Sequence, residues 1–369
     1  MKVYHIISGL YNGGAENLLY NFIENDKKNT HTVISLDGPG YFAPKLEKLG
    51  IKLFFINSSN IINIFFSIIK ISKIISINRP DVIQTWMYKA DFIGGIGAKL
   101  SNHKKIYWSL HHSKPITFHI RIYERIIYKI LSVLSFYIPN KIIACGTAVS
   151  EFHKKIGYCK KKIIIIYNGY NLEKFNLKKD SKYKKFLKLE NFLVLGMVAR
   201  WDKFKDYKTL FIAISKLKSF DYNFKLILAG RDINLKNIKL MNLIKKFNLE
   251  NQIILLNLID DIENLYKIFD INLLISHAEG FPNVLAESML SGTPCIATNV
   301  GDNKKIISKY GEVINLEDHN DLLIKLKKLI KKISNSENKS NLANKCNKHI
   351  VNNYSLDLMI LGYNTIWKA

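Results

Sequence analysis

Short apolar runs alternate with longer amphipathic segments along the whole chain, and that alternation predicts a parallel α/β architecture. VYHIIS (3–8), HTVISL (31–36), KLFFI (52–56), DVIQTW (81–86), KIYWSLH (105–111) and KIIACG (141–146) read as strands of one unit, which IIIIYNG (163–169) closes. A charged stretch, KKDSKYKKFLKLEN (178–191), reads as a linker followed by a short helix. A second series then runs through FLVLGMVA (192–199), FKLILAG (224–230), QIILLN (252–257), INLLIS (271–276) and PCIAT (294–298). The expected fold is therefore two Rossmann-like domains, residues 1–175 and 176–351, with a cleft between them. The last stretch, NNYSLDLMILGYNTIWKA (352–369), is amphipathic and is expected to pack back on the first domain.

Two apolar segments test for membrane spans. IINIFFSIIKISKIISI (61–77) is broken by Lys70 and Lys73, and IYERIIYKILSVLSFYI (122–138) by Glu124, Arg125 and Lys129. Neither supplies the roughly 18 uncharged apolar residues of a span, so both read as buried or amphipathic helices. The opening MKVYHIISGL has too short an apolar run for a signal peptide and reads as a first strand entering a glycine turn. The four cysteines form no CxxC pair, which suggests neither a disulfide framework nor a zinc site and fits the cytoplasm.

Net charge is +25. Lysines spread over solvated helix faces, as in KLKKLIKKI (325–333), account for that value without a partner. Attraction to anionic lipid or nucleotide is the second, less favoured reading. The aromatic residues lie mostly inside apolar runs rather than in basic stripes, which disfavours a nucleic-acid partner.

Ligands of open parallel sheets bind beyond the carboxyl ends of the strands, so the chemistry is sought there. GLYNGGAEN (9–17) follows the first strand. Gly13 and Gly14 leave backbone N–H groups uncovered at a helix start, either a phosphate cradle or simply a turn. In RWDKFKDYKTL, Arg200 and Lys205 follow a strand and can neutralise a diphosphate, Arg through paired hydrogen bonds and Lys as a point charge. In HAEGFPNVLAESMLSG (277–292), Glu279 falls in a loop and Pro282 suits a helix start. The amides of Gly280, Phe281, Asn283 and Val284 then lie at the helix N-terminus, and Glu287 about one turn in. Carboxylates accept hydrogen bonds from sugar hydroxyls, while amides and a helix dipole suit phosphate.

The stretch EGFPNVLAE is an E-x7-E motif and resembles that of the retaining glycosyltransferases of family four, which adopt the GT-B fold. The likeness covers most of the chain. GGAEN (13–17), QTWMYKADFIGG (84–95), WSLHHS (108–113), IIYNGYNLEKF (165–175), VARWDKFKDY (198–207) and GTPCIATNVGDN (292–303) resemble further family segments in order.

The resemblance implies that Arg200 and Lys205 bind the diphosphate of a nucleotide-sugar donor, UDP-sugar favoured, with Gly14 donating from its backbone. Glu279 would hold the transferred sugar, beside Gly280, Phe281, Pro282, Asn283, Val284 and Leu285, and Glu287 the ribose. His111 would approach the donor sugar, with adjacent His112 competing for the register. Glu16 and His112 would face the acceptor. The implied reaction retains anomeric configuration and serves surface-polysaccharide assembly. Its acceptor would be an oligosaccharide or a lipid-linked sugar, at an anionic membrane face that the enzyme touches peripherally. With no Asp-x-Asp in the chain, no metal or other cofactor is expected. Two departures stand out, Lys89 where many members carry His and Asn257 where glycine is common. A nucleotide-sugar 2-epimerase and a basic module for nucleic acid or membrane surfaces are the competing readings.

Overall fold

The computed structural model describes residues 1–112, 122–175, 177 and 181–369, leaving aside the side chains at 61, 122–124 and 181–183. Ser113 of the histidine stretch and 178–180 of the expected linker lie outside the described residues. The chain divides into two compact units, Met1–Gly169 with Leu356–Ala369, and Tyr170–Ser355.

In the first unit the described strands are β1 (Lys2–Ile7), β2 (Thr30–Ser35), β3 (Lys52–Phe55), β4 (Val82–Trp86), β5 (Ile106–Leu110), β6 (Lys141–Ala144) and β7 (Ile163–Ile165). They form one parallel sheet of order β3-β2-β1-β4-β5-β6-β7. Helices α1 (Gly14–Asn25) and α2 (Ala43–Lys48) cover the crossovers that step one way. Helices α3 (Ile61–Asn78), α4 (Tyr88–Leu100), α5 (Ile122–Tyr137) and α6 (Thr147–Lys155) cover those that step the other way. Right-handed crossovers place the two groups on opposite faces. Strands β4 and β5 are buried along their whole length, which is why they read as continuous apolar runs rather than alternating ones.

The second unit opens with α7 (Ser181–Phe186). Its strands are β8 (Leu193–Val198), β9 (Phe224–Ala229), β10 (Ile253–Leu256), β11 (Ile271–Leu274), β12 (Cys295–Thr298) and β13 (Glu312–Ile314), in the order β10-β9-β8-β11-β12-β13. The crossover helices are α8 (Tyr207–Leu217), α9 (Ile238–Lys246), α10 (Ile262–Ile268), α11 (Asn283–Leu290) and α12 (Asn303–Ile307). Helices α13 (His319–Ile333) and α14 (Ser336–Tyr354) follow. The strand β13 was not anticipated. Its three residues in GEVINL are too few and too mixed in polarity to stand out.

The chain then returns as α15 (Leu356–Lys368) to the first unit. Met359, Tyr363 and Trp367, four residues apart along one helical face, enter the core that holds Val3, Phe22 and Trp86. Trp367 Nε1 donates to Gln84 Oε1 at 3.2 Å, so the polar group inside β4 is satisfied by the returning helix.

Candidate functional site

In the second unit the site is built at the carboxyl ends of β8 and β11. Asp202 tightens the turn after β8, accepting from Phe204 N at 2.9 Å and from Arg200 Nε at 3.1 Å. The turn then pairs with the chain leaving β11. Asp206 N donates to Ile275 O at 2.9 Å, His277 N donates to Phe204 O at 2.8 Å, and Lys205 bridges Ser276 in antiparallel sense. Asp206 next caps α8, accepting from Thr209 N at 3.0 Å. These bonds deliver Lys205 to Glu279, and the ammonium and carboxylate form an ion pair. Both side chains are largely enclosed, at 15% and 13% exposure, whereas Arg200 is 59% exposed. The two residues read from sequence as diphosphate and sugar ligands thus hold each other.

The loop carrying Glu279 is braced from behind by the turn after β12. Asp302 N donates to Gly280 O at 3.0 Å, and Gly301 adopts φ +58°. A Cβ at Gly301 would lie 2.4 Å from Glu279 O and 2.7 Å from Gly280 O. Gly301→Ala is therefore expected to cost about 1–3 kcal/mol and to displace Glu279. Thermal melts together with turnover check this, and unchanged values of both would show that the loop is not braced there.

Helix α11 begins at Asn283 with Pro282 as its N-cap. Its first-turn N–H groups lack the i−4 carbonyl partner of later turns, which makes this end favourable for an anion. Asn283 is held by Tyr170, whose hydroxyl donates to Asn283 Oδ1 at 2.9 Å. Phe281 packs edge-on against Tyr354 at 5.4 Å between ring centres. Leu285 turns wholly into the core, and its N–H engages Pro282 O at 3.3 Å, while Val284 stays half-buried. The helix stops at Gly292, where φ is +83°.

One turn in, Glu287 accepts a 3.2 Å hydrogen bond from Tyr266 of α10. Burial pushes its carboxyl up to about 7. Tyr266 and Lys174 pull it down, and Glu263 pushes it up. Tyr266 and Glu263 had no role in the sequence reading, for they lie more than twenty residues from Glu287 and only the packing of α10 on α11 joins them.

In the first unit the corresponding strand ends are those of β1, β4 and β5. Of the two adjacent histidines, His111 is the one that enters a stack, lying 5.3 Å from the Trp86 ring at 10° between planes. Its Nε2 meets Ser109 Oγ at 2.7 Å, and Ser109 Oγ meets Tyr363 OH at 2.9 Å. Burial holds the imidazole down at about 4, against a smaller opposing effect of Asn168, so the ring is neutral near pH 7. The carbonyl of His112 accepts from Tyr88 OH at 3.4 Å.

Trp86 is itself anchored from below. Its Nε1 donates to His5 Nδ1 at 3.2 Å, His5 Nε2 meets His31 Nδ1 at 3.0 Å, and His31 Nε2 lies 3.4 Å from Asp26. Because the indole can only donate, His5 must carry its proton on Nε2 and pass the donor role towards His31 and Asp26. Sequence reading gave His5, His31 and Asp26 no part, since the pairing of β1 with β2 and β4 sets them in line with Trp86.

Gly14 begins α1, and Gly13 is its N-cap. The Glu16 carboxylate folds back over that N-terminus, since a Cβ on Gly13 would lie 2.4 Å from Glu16 Oε2. Burial raises the Glu16 carboxyl above its ordinary value. Lys89 forms an ion pair with Asp37, and Asn257 O accepts from Gly230 N at 3.1 Å. Among the described residues no group of three or more His, Cys, Asp and Glu side chains is placed to hold a metal ion.

Two family models divide the chain between them. The model of Glycosyltransferase Family 4 matches residues 12–174, and that of Glycosyl transferases group 1 matches residues 178–349. The chain is a GT-B glycosyltransferase of the family-four type.

This glycosyltransferase is 25% identical over 301 residues to UDP-Gal:alpha-D-GlcNAc-diphosphoundecaprenol alpha-1,3-galactosyltransferase of Escherichia coli, covering 79% of the chain and 76% of that protein. It is 23% identical over 314 residues to EpsF of Bacillus subtilis strain 168, described as a glycosyltransferase, covering 81% and 79% respectively. Among solved structures, that of HepE from Anabaena in complex with UDP superposes with a TM-score of 0.86 at 19% identity, over 99% of each chain. That likeness bears on the fold.

Proposed function

We propose that this glycosyltransferase moves a sugar from a UDP-sugar to a lipid-linked sugar acceptor during surface-polysaccharide assembly, with retention at the anomeric carbon. The observation that carries the reading is the Lys205–Glu279 pair, held beside the N-terminus of α11 by the turn that also presents Arg200. Support for the donor comes from the UDP-Gal in the name of the Escherichia coli relative and the UDP bound to HepE. Support for the acceptor comes from the diphosphoundecaprenol in that same relative's name.

Departure of the nucleoside diphosphate puts growing negative charge on its phosphates in the transition state. Arg200, Lys205 and the N–H groups opening α11 are preorganised donors for that charge. Lys205 exchanges its carboxylate partner for phosphate oxygen, which releases Glu279 to accept hydrogen bonds from hydroxyls of the transferred sugar. Glu287 accepts from the ribose hydroxyls. With Nε2 on Ser109, the neutral His111 ring has Nδ1 left for the donor sugar. Retention places the acceptor hydroxyl on the face from which the phosphate leaves, where a phosphate oxygen takes its proton. The fixed cations supply the charge that a metal ion supplies elsewhere, so transfer proceeds in the presence of a chelator.

Calorimetric titration with UDP, GDP, ADP and a single-stranded oligonucleotide tests the donor. Selective UDP binding is expected, and binding of the oligonucleotide alone would remove the enzyme reading. NMR of the product tests the stereochemistry, and an inverted anomeric centre would overturn retention.

A further inference from the structure

Helix α5 buries serines and exposes large apolar side chains. Facing inward are Tyr128, Leu131 and two serines, Ser132 at 7% and Ser135 at 0% exposure. Ser135 Oγ accepts from Cys159 N at 2.8 Å and donates to Ser132 O, so the buried hydroxyl is matched to local backbone. Facing outward, Ile126, Ile130, Val133 and Tyr137 succeed one another at helical spacing, exposed by 55%, 41%, 54% and 71%. Phe136, at 53%, widens the stripe. A helix that meets only water gains nothing by hiding serine and showing isoleucine, and a contiguous exposed apolar stripe marks an interaction surface.

The stripe is not isolated. Helices α3, α4 and α5 lie on one face of the first sheet, with α4 packed against both neighbours. Helix α3 exposes Ile62, Phe65 and Phe66 in its first turns. Because α3 and α5 follow β3 and β5, their first turns lie towards the strand ends where His111 sits. At the far end of α5 a pocket of about 440 Å³ is lined by Tyr137 together with Lys99, His103, Lys104 and Lys162. Lys162 Nζ donates to Phe136 O at 2.6 Å, which ties this basic pocket to the last turn of the stripe. Arg125 and Lys129 add exposed cations along the helix itself. Among the described residues no carboxylate lines the pocket.

We infer that the α3–α5 face of the first unit docks on an anionic lipid bilayer, the α5 stripe lying in the interface and the lysines around Tyr137 meeting lipid phosphates. Charge selects this occupant over a second copy of the chain. Pairing two such faces would bring Lys99, Lys104, Lys129 and Lys162 against their own kind in a molecule of net charge +25, whereas lipid phosphates neutralise them. Among the described residues no helix is long and apolar enough to cross a membrane, so the contact is with the surface. The inference deepens the lipid-linked acceptor reading by naming the surface that would bring enzyme and acceptor together.

The test is co-sedimentation of the full chain with phosphatidylglycerol-containing vesicles and with pure phosphatidylcholine vesicles, at low and high salt. Wild type is compared with Ile130→Glu/Val133→Glu and with Lys99→Ala/Lys104→Ala/Lys162→Ala, folding of each being checked by circular dichroism. Wild type is expected to bind the anionic vesicles, and the glutamate variant to bind at least about tenfold more weakly. The alanine variant is expected to bind more weakly with a flattened salt dependence. Wild-type binding by the glutamate variant, or equal binding of wild type to both vesicle types, would overturn the inference. So would a wild-type dimer that the glutamate variant breaks, without any vesicle binding. UDP titration of the same proteins separates the two readings. Unchanged UDP affinity without vesicle binding strikes only the docking surface, and vesicle binding without UDP binding strikes only the donor site.

Discussion

Lys205→Ala is expected to lower turnover by roughly 10²–10³-fold, the effect of removing one preorganised donor from developing charge. Lys205 is the better enclosed of the two cations, so its field is less screened by water than that of Arg200. Arg200→Ala should accordingly lose less. Removing Lys205 also deprives a largely enclosed Glu279 of its counter-charge, which confounds turnover with stability. The double variant Lys205→Ala/Glu279→Gln, with Glu279→Gln alone as its reference, resolves this. It should regain the melting temperature lost in Lys205→Ala while turnover stays low. Steady-state kinetics on these variants decide the matter. Wild-type turnover in Lys205→Ala would take Lys205 out of the reaction, and recovery of turnover in the double variant would make its part structural.

Glu287→Ala is expected to weaken donor binding by roughly 10–100-fold, the loss of a charged acceptor for ribose hydroxyls. A pH dependence accompanies this loss. With its carboxyl raised to about 7, mainly by burial, Glu287 is an anionic acceptor above that pH and a protonated, poorer one below it. Affinity for the donor should therefore fall as pH drops through about 7, and Glu287→Gln should flatten that inflection. The effect on folding has the opposite sign. The folded value lies above the ordinary 4.5, so the folded state holds the proton more tightly. The stability this confers is present below about 4.5 and lost as pH rises to about 7. Glu287→Gln should thus gain melting temperature relative to wild type as pH rises across this window. Calorimetric titration and thermal melts over the same pH series read the two effects separately. A pH-independent donor affinity in wild type would sink the assignment of Glu287 to the ribose.

Much of the scaffold was legible because it is local. Runs such as FLVLGMVA and INLLIS became β8 and β11 within a residue or two, since buried parallel strands need unbroken apolar sequence. In HAEGFPNVLAESMLSG the proline and glycine bound α11 as their backbone preferences require, and the separation of Glu279 and Glu287 placed one acid in the loop and the other in the helix. The β13 segment had no such signal. Helix α5 was expected to be buried or amphipathic, but its periodicity could not say that the serine side would face the core.

The sequence by itself determined which segments become strands and helices, and that Glu279, Lys205, Arg200 and His111 follow strand ends. Backbone preference and apolar period act over a few residues, and they suffice for that. Only the tertiary structure decided who meets whom. Placing β8 beside β11 joins Lys205 to a glutamate 74 positions away, and packing α10 on α11 gives Glu287 its tyrosine. Pairing β1 with β2 and β4 assembles the chain from Asp26 through His31 and His5 to Trp86. Sheet order is set by the summed burial of whole strands and by crossover handedness. A local pattern therefore names the face a residue occupies but leaves open what lies against it.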